Sequence, residues 1–400
     1  MDTMGVLDGI KVLDMATVWA GPLASAYLAD QGAEVVKVEP KEGEMLRRIQ
    51  VHRPVVSGEA RSFLVADRGK RSIAVNITVP QGQEIVYRLV KTADVLIHNF
   101  RPDVPERLGY DYPTLSHLNS RLIYVEVAAY GYRGPYARRR GYEPLFQSLA
   151  GVMDRQRLPD GTPIGAGVWL SDMATPFAID TGVALALYHR EKTGLGQKVE
   201  TSLLHMELAM QTVDLVGVEH EEPLTGGPDD WRADPVWAPY QSSDGKWVII
   251  CAITNKEFRD LCNALEMPTL PEEPQFATPR ARGQNREDLY TLVSGVVSTR
   301  PREEWLKAFE KHDVPAAPVV DQEEVIDQPQ VRENNMVIET EHPVAGRVST
   351  IANPVRLSAA APDPQPRPAP LLGEHTDEVL GELGYSADEV DSLRGEGVVL

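Results

Sequence analysis

Asp172 stands where an aspartate could cap a helix or act as a catalyst. It heads DMATPFAIDTGVALALYHREKT (172–193), which is apolar at helical spacing, ends in basic residues and is followed by Gly194 as a C-cap signal. A carboxylate at such a place is a helix cap, a catalytic group or both, because one held by helix N-terminal amides is well oriented. The glycines of the preceding IGAGVWLSD allow close approach of a ligand. Basic residues gather in two stretches, Arg68, Lys70 and Arg71 in DRGKRSI and Arg133, Arg138, Arg139 and Arg140 in YGYRGPYARRRGYEP. They suit either a phosphate-bearing ligand or a solvated loop. NFRPDVPERLG adds Asn99, Phe100 and Arg107 directly after a strand-like run, where ligands of open α/β sheets collect.

Several other chemistries lose their sequence support. No HExxH, paired CxxC, GxSxG, GxxxxGK[ST] or GxGxxG occurs, and the histidines are scattered without metal-ligand spacing, so no metal is expected. A formal charge of −19 argues against a nucleic-acid binder, since phosphate backbones are bound by Lys and Arg. Against that acidic background clustered arginines become informative. The two cysteines, Cys251 in VIICAI and Cys262 in EFRDLCNAL, read as reduced core thiols. The first residues, MDTMGVLDGIKVLDM, lack an export signal, and no apolar run reaches about 18 residues. A cytoplasmic protein that does not span a membrane is expected.

The elements that must position these residues follow from periodicity. Five β-branched runs, KVLDM (11–15), EVVKVEP (34–40), RSIAVNI (71–77), DVLIHNF (94–100) and RLIYVEVAAY (121–130), alternate with helical segments, which predicts a parallel α/β sheet. Pro80 opens a helix with Ile85, Val86, Leu89 and Val90 on one face. After QKVETSLL (197–204) a helix is expected around Glu207 to Val216, and EHEEPLTGGPDDWRADP then reads as a linker. PYQSSDGKWVIICAI predicts a hairpin turning at Asp244-Gly245, with amphipathic helices near 256–266, 286–299 and 302–311. The proline-rich 361–370 should run extended, followed by a short helical pair. The expected division is a large domain over 1–218, a linker over 219–235, a small α+β domain over 236–325 and a returning segment over 326–400.

Taken together, LDGIKVLDMATVWAGPLASAYLADQGAEVVKVEP, GKRSIAVNI, ADVLIHNFRPDVPERLGYDYPTL, LNSRLIYVEVAAYGYRGPYARRRGYEP and SDMATPFAIDTGVALALYHREKTGLGQKVETSLL resemble the family III CoA-transferases, in order and spacing. The resemblance continues through PYQSSDGKWVII and KEFRDLCNALEM, so it covers essentially the whole chain. It implies a Rossmann-like parallel-sheet large domain, a smaller α+β domain and an interlocked homodimer. Coenzyme A is implied as part of an acyl-CoA substrate, with a carboxylic acid acceptor and no permanently bound cofactor. The family's catalytic aspartate falls on Asp172. Its CoA-contacting positions fall on Val18 and Trp19, on Val75, Asn76, Ile77 and Thr78, on Asn99, Phe100 and Arg101, on Arg107 and Leu108, and on Arg140, Tyr142 and Glu143. Relative to formyl-CoA transferase, Trp19 replaces a glutamine, Pro40 replaces an arginine, and WAPYQSS lacks a glycine run. These departures imply a different acceptor pocket.

The implied chemistry is attack of Asp172 on the donor thioester, giving a mixed anhydride and then an aspartyl-CoA thioester. Two competing readings are a 2-methylacyl-CoA racemase and a non-catalytic acyl-CoA binding protein. A racemase of this superfamily presents histidine where this chain has Tyr142, whose reference pKa of about 10 makes it a poor base near neutrality.

Overall fold

The β-branched runs become a single parallel sheet. β1 (Lys11–Asp14), β2 (Glu34–Glu39), β3 (Lys70–Ala74), β4 (Val95–His98), β5 (Ile123–Ala128) and β6 (Lys198–Ser202) lie in the order β3-β2-β1-β4-β5-β6. That is the Rossmann strand order, and it reverses direction between β1 and β4, the switch point beside which such sheets bind ligands. The coordinates, a computed structural model, describe residues 5–49, 59–220, 235–360 and 366–400. The chain divides into two units, residues 1–217 with 334–400 and residues 218–333.

Alternation along each strand explains the two layers around the sheet. Leu13, Val36, Leu96 and Tyr124 enter one core with Ile85, Val86, Leu89 and Val90 of helix Pro80–Thr92. The same core takes Val379, Leu380, Val390 and Leu393 from the C-terminal helices Thr376–Glu382 and Ala387–Gly395. Val12, Val35, Ile97, Ile123 and Val125 face the opposite way, toward helices Ala20–Asp30 and Leu170–Thr193. Strands β1, β2, β4 and β5 are therefore buried on both faces along nearly their whole length, which is why their sequences read as nearly continuous runs, whereas the edge strand β6 (KVETS) is largely exposed. The chain end adds to the sheet's margin, where Asn76 N donates to Val398 O at 2.7 Å and Leu400 N to Ala74 O at 3.1 Å.

In the unit spanning 218–333, β7 (Trp237–Gln241), β8 (Trp247–Cys251) and β9 (Ala316–Pro318) form an antiparallel sheet. The expected turn lies at Asp244-Gly245, with Gly245 at φ 76°. Helices Asn255–Ala264, Arg286–Val297 and Arg302–Lys311 cover a core that includes Tyr240, Phe258, Trp305 and Phe309. Thr254 and Glu257 close a reciprocal capping box on the first of these. Cys251 and Cys262 are free thiols.

Two expectations need correction. The helix after β6 is Leu203–Ala209, not one centred on 207–216, because the Ser202 hydroxyl accepts from His205 N at 3.1 Å and starts it early. A hairpin of β10 (Val337–His342) and β11 (Gly346–Ile351) was not foreseen. Its buried positions include Thr340 and His342, so the inward face lacks apolar alternation. Most of the expected linker (221–234) and part of the proline-rich stretch (361–365) lie outside the described residues.

Candidate active site

A cleft of about 340 Å³ opens at the carboxyl ends of β1 to β4. Its walls include Met15, Thr17, Lys41, Val75–Thr78 and Phe100, so it gathers several residues expected to contact CoA. The loop after β1 is clamped on every side. Asp14 Oδ1 accepts from Ala16 N at 2.9 Å, and Lys37 Nζ donates to Ala16 O at 3.2 Å. Asn99 brackets Thr17, accepting from its amide at 3.0 Å and donating to its carbonyl at 2.7 Å. Val18 then sits at φ 71°, a conformation costly for a β-branched residue, while its amide donates to Glu44 Oε2 at 3.2 Å. Burial pushes the Glu44 carboxyl up to about 7. Trp19 follows as the N-cap residue of helix Ala20–Asp30, and Val18 and Trp19 pack on the cluster of Leu46, Phe63 and Leu64.

The β4 end of the cleft is held by a directional chain. Phe100 N donates to His98 Nδ1 at 3.2 Å, so the ring nitrogen Nε2 carries the proton toward Tyr124 OH at 2.6 Å, and that hydroxyl donates to Tyr110 O at 2.9 Å. Burial and then the charge of Lys198 push the imidazole down to about 3, so it stays neutral over the physiological range. At the cleft rim, Glu39 is fixed by paired contacts of 2.7 Å from Arg47 and by Ser72 Oγ at 2.7 Å.

The basic residues separate into two groups. In DRGKRSI, Arg68 pairs with Asp30 at 2.6 Å, Lys70 with Asp14 at 2.8 Å and Asp67 at 2.6 Å, and Arg71 with Glu378 and Glu382. These are structural pairs, neither a phosphate site nor a solvated loop; Arg68 and Lys70 are fully buried. Arg101, Arg107, Arg138, Arg139 and Arg140 are exposed, with Arg139 lying 3.9 Å over the Tyr136 ring. Leu108 is half-buried against the core of Pro80–Thr92. Lys41, in the cleft wall, was not singled out in the sequence, and its position directly after Pro40, two residues beyond β2's carboxyl end, was the available signal.

Asp172 lies elsewhere in the same unit, where helices Glu143–Leu149, Leu170–Thr193 and Leu203–Ala209 meet. It is not the cap. The helix starts at Leu170, Trp169 at its N-cap contributes no side-chain bond, and Asp172 is in the first turn with only 8% exposure. Glu143 provides the cap from another helix: its carboxylate accepts from Ser171 N at 3.2 Å, from Asp172 N at 3.0 Å and from Ser171 Oγ. Gln147 adds a fourth donor to Glu143 at 2.7 Å and also accepts from Ala166 N at 2.9 Å, tying down the glycine-containing approach. A side chain at Gly165 would meet Gln147 Oε1 at 2.6 Å, which accounts for that glycine. Glu143 is thus buried under Asp172's helix, whereas Arg140 and Tyr142 beside it are exposed.

Burial, then the charges of Glu143 and Glu207, push the Asp172 carboxyl up to about 7. Glu207 is completely buried, and burial and then Glu143 push it to about 7 as well. Sequence reasoning placed Glu207 in a helix but gave it no role; an acid amid the apolar residues of LLHMELAM was the signal. Replacing Glu143 with Ala should cost about 2 kcal/mol, because the first-turn amides and Gln147 lose their acceptor together. Urea unfolding of the variant measures it, and an unchanged midpoint would contradict this capping role.

The sheet has the Rossmann strand order with a cleft at its strand ends, and the same unit carries a buried carboxylate in the first turn of a helix, an arrangement of the α/β class in which ligands collect at strand ends. Residues 7–376 match the model of CoA-transferase family III. The chain is 32% identical to a formyl-CoA:oxalate CoA-transferase of Streptomyces coelicolor, over 99% of its own length and 100% of that protein's. It is likewise 32% identical to a succinyl-CoA:glutarate CoA-transferase of Mus musculus, covering 100% of this chain and 91% of the other. A solved CAIB/BAIF family protein from Brucella suis superposes with a TM-score of 0.81 at 32% identity, over 95% of this chain and 100% of that one. The chain belongs to the family III CoA-transferases and is an enzyme of that class. Among the described residues no helix is long and apolar enough to cross a membrane.

Proposed function

We propose that this enzyme moves CoA from an acyl-CoA donor to a free carboxylic acid, with Asp172 as the covalent nucleophile, working as an interlocked homodimer. The observation that carries the reading is Asp172 itself: a nearly buried carboxylate in the first turn of a helix whose leading amides are already taken by Glu143. Its oxygens are not consumed by capping. A carboxylate stripped of solvent and crowded by other acids is also a more reactive oxygen nucleophile than one in water.

The electron accounting is simple. One Asp172 oxygen forms a bond to the donor's thioester carbonyl carbon, the C–S bond breaks, and CoA leaves as the thiolate with a mixed anhydride on Asp172. The thiolate then attacks the aspartyl carbonyl, which releases the donor's acid as a carboxylate and leaves an aspartyl-CoA thioester. The acceptor carboxylate runs the same two steps in reverse, so no proton or electron is gained or lost. Val75–Thr78, Asn99 and Phe100 hold the nucleotide end of CoA at the cleft, and exposed Arg101, Arg107 and Arg140 meet its phosphates.

Relatives named for oxalate and for glutarate match this chain at the same 32% identity, so identity does not select the acceptor acid. Hydroxylamine or borohydride added during turnover with an acyl-CoA donor should leave its mark on Asp172, located by peptide mass spectrometry. Turnover without any adduct on Asp172 would rule out this nucleophile.

A further inference from the structure

Glu207 presents a problem of its own. Its side chain is wholly inaccessible, and among the described residues neither carboxylate oxygen has a hydrogen-bond partner. Burying an acid in that condition is costly unless it is neutral or its charge is answered nearby. The groups facing it do not answer a negative charge. Glu143 approaches from helix Glu143–Leu149 and Asp172 from helix Leu170–Thr193. Ser171 lies close enough to draw Glu207's proton affinity down somewhat, but its amide and hydroxyl are hydrogen-bonded to Glu143. From β6, Lys198 is engaged with Glu126 and Glu200, both at 2.6 Å, while Ser202 caps Glu207's own helix. On that helix, His205 lies against Gly131. No three acidic, histidine or cysteine groups among the described residues converge closely enough to hold a metal ion.

The three carboxylates are therefore unequal. Glu143 accepts from four donors. Asp172 must be an anion to attack a thioester. Glu207, whose oxygens have no hydrogen-bond partner among the described residues, has only the nearby Ser171 to favour its ionised form. We infer that Glu207 is a positioning residue for the transfer reaction: it and Asp172 hold one proton between them, with the proton resting on Glu207 while Asp172 reacts as the anion. No bond to Glu207 is made or broken. Once Asp172 is acylated its charge is gone, and the proton stays on buried Glu207 until the free aspartate returns. This inference rests on Asp172 being the nucleophile.

The distinguishing readout is the acid limb of kcat/KM for the acyl-CoA donor, which follows ionisation of the free enzyme's essential base. In the wild type a shared proton spreads that limb over two steps. Glu207→Gln keeps the volume and removes the second titrating group, so the limb should become a single step with its midpoint lower by about half a pH unit or more. A Glu207 that only packed would change rate or stability and leave the limb's shape and position alone.

Infrared spectra give a reading that does not depend on turnover. At about pH 7 the wild type should show a protonated carboxyl C=O band that is missing in Glu207→Gln. Should Glu207→Gln not fold, Asp172→Asn takes its place, and there the Glu207 band should be lost at lower pH than in the wild type. Coincident pH profiles, or a Glu207 band unaffected by Asp172→Asn, would overturn the shared proton even where adduct trapping confirms Asp172. A shifted profile with no adduct on Asp172 would instead sink the nucleophile, and the present inference with it.

Discussion

Asp172→Asn should lower CoA transfer about a thousandfold or more, equivalent to about 4 kcal/mol of transition-state stabilisation, while making the protein more stable at neutral pH. The first half follows from removal of the attacking oxygen. The second follows from the carboxyl being pushed up to about 7 in the folded chain, from a model value of 3.8. An acid whose folded pKa lies above its unfolded one stabilises the fold at low pH, and that contribution is lost as pH rises from the unfolded value through about 7. Asparagine carries no such penalty, and because Glu143 performs the capping, the helix keeps its start. On the order of 1 to 3 kcal/mol should be recovered near neutrality. Steady-state kinetics and thermal melts at a series of pH values test both halves. A variant that kept near-normal turnover, or that melted below the wild type at neutral pH, would contradict the reading. The same ionisation makes wild-type transfer increase as pH rises through about 7, since only the anion attacks.

Lys70→Met should be the most destabilising single change of those considered, at about 3 to 5 kcal/mol. Lys37, Lys70, Asp14 and Asp67 form a quartet of side chains with 0% exposure, two ammonium groups against two carboxylates. Burial pushes Asp14 up, but Lys37 and Lys70 with the hydrogen bonds of Lys70 and Ser25 more than offset it and hold the carboxyl at about 2. Lys70 Nζ also donates to Pro22 O at 2.8 Å. Methionine fills the same volume and leaves both carboxylates facing one ammonium, so the loss is electrostatic and not a cavity. Adding Asp67→Asn to Lys70→Met restores charge balance and should recover part of the loss, a coupling that a double-mutant cycle in urea reads directly. Strictly additive losses would show the quartet to be uncoupled. Because Lys37 and Asp14 also grip Ala16, the single variant should weaken CoA binding through the loop carrying Val18 and Trp19.

The parallel sheet was legible because its inner strands are buried on both sides, which forces continuous β-branched runs such as EVVKVE and VLIH. The helix over 170–193 was legible for a similar reason, its spacing and terminal Gly194 being local signals. The C-terminal hairpin was not, since His342 and Thr340 take inward positions where a sequence reader looks for apolar side chains. The basic stretch DRGKRSI read as either a ligand site or a solvated loop because a sequence lists charges without their partners. Asp30, Asp14 and the Glu378–Glu382 pair come from as far as 311 positions away.

Asp172 is the sharpest instance of that division. Its residue type, its place before an apolar helix and the motifs around it are properties of the chain alone, and they suffice to nominate it. Whether it caps the helix or is left free to react depends on Glu143, 29 residues earlier, reaching the Ser171 and Asp172 amides. Its proton affinity depends on Glu207, which sits 35 positions further on and is brought near only by the packing of helices Leu170–Thr193 and Leu203–Ala209. Local periodicity determines which elements form, because each turn or strand buries its own face. Tertiary packing decides reactivity, because charge and desolvation act through space and take no account of distance along the chain.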